Sequence, residues 1–350
     1  MNPITWFLGL IQRLWKFIFS PKQRDKNLYG LDHAILHVQT PPPSMWMNMG
    51  YWKDETTLAG AAQALLDQVL IAAGLVDPSG RPVPHPPQRR FNLLDVGIGC
   101  GDQSLHLLNT ARLPRIVPGD GDDDDSAAAR PLPLFDAYVG VTIAPPQAEM
   151  ARQRVRSQVE EAATSPSKAE IFCADAADPS SWSAEMKDAL RGMIISEEIG
   201  MYSDNWVLAL DMLYHLRPSR RPLISYACRD LRASLMAFDL LLSDKASLWE
   251  RLMLRLVCMV TGTPFSNFLT RAEYEDLLVG AGYGRDCVQM RDLSDHVFAG
   301  LAGFIARKDE ELRRFGMTVG KFRGAGAVFG WWARSGVVRG TVIIAKRQGL

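Results

Sequence analysis

Residues 93–104 read LLDVGIGCGDQS, and this stretch decides the fold. A short apolar run ends in an acid, Asp95, and three glycines follow at alternate positions, Gly97, Gly99 and Gly101. An apolar run of this length bounded by glycine is the signal of a buried strand entering a tight turn. Glycine at such a turn lets the backbone approach a ligand closely. Where a strand hands over to a helix, the freed N–H groups favour a nucleotide or another polar ligand.

The residues narrow the choice of ligand. A nucleoside-triphosphate loop needs Gly-Lys-Ser/Thr after the turn, and none occurs. A dinucleotide fold needs G-x-G-x-x-G and an acid ending the second strand. Here Asp102 follows the third glycine, and Thr142 stands where the acid would be.

Working outward, strands and helices alternate. Strands are expected at 91–96, 136–143, 169–175, 205–211 and 233–242, with helices at 57–73, 102–111, 146–163 and 218–231. Residues 193–202, MIISEEIGMY, compete for the fourth strand and would bring Glu197 and Glu198 to its end. The spacing to the next helix and strand favours 206–211. Alternation of this kind predicts an α/β fold: a mostly parallel sheet with helices on both faces. An apolar helix over 245–260 follows. A second, at 269–283, has Thr270 as N-cap with Glu273 three later, and a strand at 336–347 closes the sequence. The WW-containing stretch FGWWARSG (329–336) and residues 248–268 are expected to line an apolar substrate pocket with the N-terminal segment.

The rest of the chain sets bounds. It has 350 residues, 47% hydrophobic, with 39 basic and 39 acidic side chains, so no global positive charge argues for nucleic acid. Five cysteines, scattered and odd in number, read as reduced thiols in a cytoplasmic setting. No residues present a metal-ligand spacing; His33 and His37, four apart, lack a third ligand. Residues 112–134 contain four consecutive aspartates without periodicity and are expected to form a disordered acidic insertion. Residues 4–20 are apolar except for a narrow polar arc with Arg13 and Lys16. This pattern suits a helix lying in a membrane interface, or one covering the active site. The expected units are 1–26 (that helix), 27–90 (a helical cap and linker), 91–244 (the ligand-binding core) and 245–350 (a lid and the last strands).

The glycine stretch resembles motif I of class I S-adenosylmethionine-dependent methyltransferases. Three further stretches resemble the small-molecule branch that includes sterol C-methyltransferases, tocopherol methyltransferases and cyclopropane fatty-acid synthases. VGVTIAPPQ places Thr142, Ile143 and Gln147 on the second-strand motif, with Ala144 where that branch has serine. CADAAD puts Asp175 where the family holds adenine. WMNMGYW resembles the segment that closes over the cofactor, with Tyr51 and Trp52 as aromatic partners of the sulfonium. WVLALDMLYHL resembles the stretch after the fourth strand, where substrate-facing residues sit.

The resemblance implies a Rossmann-like seven-stranded fold with S-adenosylmethionine as cofactor. It places Tyr51, Trp52, Asp95, Gly97, Gly99, Gly101, Thr142, Ile143, Gln147 and Asp175 around that cofactor. His215, Tyr214 and Asp211 become the candidates for base or orienting groups toward a hydrophobic small-molecule acceptor. The rival readings are a catalytically silent, membrane-associated binding protein with the same fold, and a dehydrogenase.

Overall fold

The computed structural model describes residues 31, 38–84, 89–112, 132–161, 168–194 and 202–347. The helix read at 4–20, the histidines His33 and His37, the glutamates Glu197 and Glu198, and most of the acidic insertion lie outside the described residues.

Seven strands form one sheet: β1 (Arg89–Val96), β2 (Ala137–Thr142), β3 (Lys168–Cys173), β4 (Tyr202–Leu210), β5 (Ser234–Leu242), β6 (Val288–Asp292) and β7 (Val338–Ala345). Their spatial order is β3-β2-β1-β4-β5-β7-β6. Strands β1 to β5 pair in parallel, and β7 runs antiparallel to both neighbours. The competition for the fourth strand resolves toward the later segment: Leu93 of β1 sits opposite Trp206 of β4. The chain direction of the order reverses between β1 and β4, the crevice where ligands bind in open α/β sheets.

Nine helices flank the sheet among the described residues: α1 (Leu58–Ala73), α2 (Asp102–Asn109), α3 (Pro145–Glu161), α4 (Ala184–Arg191), α5 (Arg221–Arg229), α6 (Leu248–Thr261), α7 (Arg271–Ala281), α8 (Phe298–Arg313) and α9 (Phe322–Ser335). Successive side chains of a strand point to opposite faces, and the core follows this rule. Trp206, Leu208 and Leu210 join a cluster with α1, α8 and Trp332. Val207 and Ala209 join another with α4, α5 and α7. Each fully buried leucine in these layers contributes about 1.5–3 kcal/mol. Helix α7 carries the expected capping box between Thr270 and Glu273, and α6 has a second one between Ser247 and Glu250.

Three features depart from expectation. The seventh strand, β6, has no clear sequence signal, because only Met290 of its residues is buried. It is an edge strand carrying Arg291 and Asp292, and such charge protects an edge from further pairing. The stretch 329–336 falls mainly in helix α9, and Trp332 is buried against Phe268, Phe298 and Phe329 rather than lining a cleft. The acidic stretch is not irregular at its ends: Ala111–Arg112 pair with Leu132–Pro133, and Leu134 is fully buried. Among the described residues, no helix is long and apolar enough to cross a membrane.

Candidate active site

A cleft of about 510 Å³ opens beyond the carboxyl ends of β1, β2 and β4. That size suits a small-molecule ligand. The glycine turn forms its floor. Gly97, Gly99 and Gly101 have φ of 85°, 55° and 89°, a region closed to most side chains. At Gly97 a Cβ would also come within 2.8 Å of the Met212 side chain. Gly97 and Gly99 border the cleft. Gly101 does not: it sits against Ala151 of α3, where a Cβ would lie 3.0 Å from the Ala151 Cβ, so its role is helix packing.

The second and third strands contribute the side walls. Thr142 donates its hydroxyl to Gln147 Oε1 at 3.0 Å, and both line the cleft with Ile143. Asp175 lines it after β3 and accepts the Ala177 N–H at 2.8 Å, which fixes its turn.

Asp95 is a correction. It is fully buried behind the turn and does not reach the cleft. Gln103 Nε2 donates to its Oδ1 at 2.5 Å, and the Tyr138 hydroxyl lies 2.7 Å from its Oδ2. Burial pushes its pKa up to about 7, against those two bonds. Sequence position placed an acid at the strand end, but a tyrosine one strand away uses it.

Tyr51 and Trp52 are corrected likewise. Neither borders the cleft. Trp52 is buried, donates Nε1 to the Met49 carbonyl at 2.8 Å and packs on Phe304. Tyr51 sets its ring edge-on to His296. They act as anchors of a strap whose earlier residues, Met45 to Asn48, do line the cleft. The strap is tied down along its length. Met45 N–H donates to Asp102 Oδ1 at 3.1 Å, and Met49 N–H to Asp211 Oδ2 at 2.7 Å. The Asn48 amide donates to the Ala62 carbonyl at 3.1 Å. Asp102 is itself gripped by Arg154 through two bonds, at 2.6 and 3.1 Å.

The third group lies after β4. Asp211 has φ of 60°, uncommon for a residue with a side chain. Its Oδ2 takes the Met49 N–H, while Oδ1 is buried without a partner, on a residue that borders the cleft. Burial pushes its pKa up to about 8, against the Met49 bond and the neighbouring Tyr214 hydroxyl. Tyr214 is buried and held un-ionised by burial and by the charge of Asp211. His215 lies at the rim against the Tyr214 ring; the protein around it and the Arg217 charge both lower its pKa. The imidazole is therefore neutral, and able to accept a proton, at neutral pH.

Beneath this group, the short turn Leu213–His215 is clamped by a buried network. Asn267 donates its amide to the carbonyls of Tyr214 and Leu216 at 3.1 and 2.7 Å. Arg220 pairs with Asp239 and donates to the Asn267 carbonyl, and Tyr274 donates to Asp239 at 2.8 Å. Arg220 Nε is buried without a hydrogen-bond partner, and a buried ion pair of this kind fixes geometry more than it adds stability.

The structure thus brings together Gly97, Gly99, Thr142, Ile143, Gln147, Asp175, Asp211, Tyr214 and His215, and leaves out Asp95, Gly101, Tyr51 and Trp52. Gln103, Asp102, Met45, Met47, Met212 and Arg217 complete the walls. Of these, Met47 and Met212 lie in the stretches WMNMGYW and WVLALDMLYHL that carried the resemblance, and Asp102 was read only as the start of a helix.

No protein-family model matches the sequence, and no curated protein matches it. Solved structures do resemble it. The (4+2)-cyclase SpnF shares 16% identity over 91% of this chain and 92% of its own, with a TM-score of 0.50. The cyclopropane synthase MmaA2 from Mycobacterium tuberculosis shares 14% over 86% and 90%, with a TM-score of 0.52. The mycolic acid cyclopropane synthase CmaA1, solved with S-adenosylhomocysteine, shares 14% over 86% and 89%, with a TM-score of 0.51. The chain shares with these structures a Rossmann-like α/β fold with a seven-stranded, mostly parallel sheet.

Proposed function

We propose that this chain binds S-adenosylmethionine in the cleft and transfers its methyl group to an apolar or amphipathic small molecule. The observation that carries the reading is the glycine turn. Gly97 and Gly99, both in the left-handed region, bring bare backbone to the cleft floor, at the sheet position where this fold binds ligands. The fold adds a prior, but one of its neighbours is described as a cyclase, and a shared fold does not fix a reaction.

The residues present fit the cofactor. Gly97 and Gly99 would meet its amino-acid end, Thr142 and Gln147 its ribose side, and Asp175 its adenine. Bound there, the cofactor supplies an electrophilic methyl on a sulfonium. The chain has two tasks. The strap from Met45 to Asn48, held by Asp102 and Asp211, covers the cleft and excludes water. Asp211, Tyr214 and His215 orient an acceptor and take its proton if it is a hydroxyl or amine. An Asp211 carboxyl with a pKa near 8 suits that task near neutral pH.

The direct test is calorimetry with S-adenosylhomocysteine, where one molecule per chain is expected to bind. Gly99→Leu should abolish it, since its backbone at φ 55° borders the ligand. No heat at millimolar ligand, or full affinity in the variant, would overturn the reading. Mass spectrometry of extracts incubated with the protein and isotope-labelled S-adenosylmethionine then identifies the acceptor.

A further inference from the structure

Beside the cleft lies a second, more open groove of about 850 Å³, and Arg217 borders both. Its walls include Pro218, Cys258, Met259 and Phe265, together with a second guanidinium, Arg255. The arginines are oriented by uncharged groups. Arg217 donates to the Gly262 carbonyl, and Arg255 stacks over the Phe265 ring with its centre 4.8 Å from the centroid. No Asp or Glu lines the groove, and among the described residues neither arginine is in an ion pair.

The cleft has the opposite character. Asp102, Asp175 and Asp211 line it, and Arg217 is the single guanidinium or ammonium on its wall, at the junction with the groove. Positive charge is therefore concentrated at the outer end, in the two guanidiniums. Apolar surface continues beyond: Met259 and Val260, on the last turn of α6, are 79% and 72% exposed. Exposed apolar residues of this size beside a groove mark a contact surface for a ligand.

We infer that the groove is the anchor for the anionic group of an amphipathic acceptor. The guanidiniums of Arg217 and Arg255 hold a phosphate or carboxylate, and the apolar part lies along Met259 and Phe265. The assignment rests on the reading of the cleft as a methyl-transfer site and deepens it. The acceptor class becomes an anionic amphipath. Guanidinium forks match such groups through paired hydrogen bonds, which an ammonium cannot reproduce. The two guanidiniums also set direction: the anion stays with them at the outer end, and the rest of the acceptor reaches toward the cleft past Arg217.

The test titrates the full chain with dodecyl phosphate below its micelle concentration, following tryptophan fluorescence, with dodecanol and dodecyltrimethylammonium as comparators. Dodecyl phosphate should bind at least about tenfold more tightly than either, the range expected of a charge-assisted pair. Arg255→Gln should remove most of that preference, Arg217→Gln likewise, and Arg255→Lys should restore only part. Equal binding of the three amphiphiles, or a preference that survives both glutamine variants, would overturn the assignment. Inorganic phosphate at equal concentration should compete poorly. If it displaces dodecyl phosphate fully, the apolar wall takes no part and the amphipath is excluded. S-adenosylhomocysteine affinity is measured on the same samples and should be unchanged in Arg255→Gln. Failure of that cofactor to bind, with the phosphate preference intact, sinks the methyl-acceptor role and keeps the anion site. Cofactor binding without the preference sinks the site alone.

Discussion

Asp95, fully buried, and Asp211, half-buried, are two acids beside the same cleft, one at the end of β1 and one just past the end of its neighbour β4. Their surroundings differ in one respect. Asp95 has both oxygens engaged, by Gln103 and Tyr138, and no access to the cleft. Asp211 borders the cleft, with one oxygen tied to the strap and the other buried beside the Tyr214 hydroxyl without a well-aligned hydrogen bond. A buried polar atom without a hydrogen bond is costly, and a fold that retains one usually reserves it for a ligand. The first acid completes the scaffold and the second is left available. Equivalent positions at the ends of adjacent strands do not imply equivalent roles.

The largest break of this contrast is expected from Asp211→Asn. The amide can still accept the Met49 N–H, so the strap stays closed, but it cannot take a proton. Turnover on the acceptor should fall by about 10²–10⁴, the usual worth of a general base. S-adenosylhomocysteine affinity should change little. Steady-state rates alongside calorimetry check both; undiminished turnover would place Asp211 with Asp95 among the scaffold residues.

Asp95→Ala should do the reverse. It leaves the Gln103 amide buried without its acceptor and the Tyr138 hydroxyl with Ser104 Oγ alone, at a cost of about 1–3 kcal/mol. A lowered urea midpoint with cofactor binding retained is the expected result. Loss of binding with unchanged stability would mean that Asp95 reaches the ligand after all.

The same contrast explains what was legible in the sequence. The sheet core was, because strands buried on both faces read as apolar runs and glycine turns announce their ends. So were the cleft residues fixed by backbone, such as Gly97, Thr142 and Asp175, which line it wherever the strands end. What escaped depends on partners distant in sequence. Asp95 is turned inward by Tyr138, Trp52 by Met49 and Phe304, and the strap by Asp102 and Asp211. The aromatic run in α9 pointed to a pocket, yet Trp332 fills the core beneath it, because an apolar ring reads the same in either place. Strand β6 escaped because an edge strand needs charge more than alternation.

The smallest effect is on stability, and its sign follows from the two acids. Burial raises the pKa of Asp95 to about 7 and that of Asp211 to about 8, from an ordinary carboxyl value of 3.8. Between the unfolded and folded values the folded chain binds more protons, so stability falls as pH rises through that window and levels off above it. Urea unfolding should show the protein less stable at pH 8.5 than at pH 5.5, by on the order of 1 kcal/mol or more. Asp211→Asn and Asp95→Asn should each flatten part of the decline, the Asp95 part lying at lower pH. Asp239 is buried and raised as well, but it is paired with Arg220 and remains in both variants, so the differences between them isolate the two acids. S-adenosylhomocysteine should leave the Asp95 part in place, because both of its oxygens are already engaged by the protein. A pH-independent midpoint in the parent chain would mean that both carboxyls ionise as they do in water, and the division between a used acid and an available one would lose its physical basis.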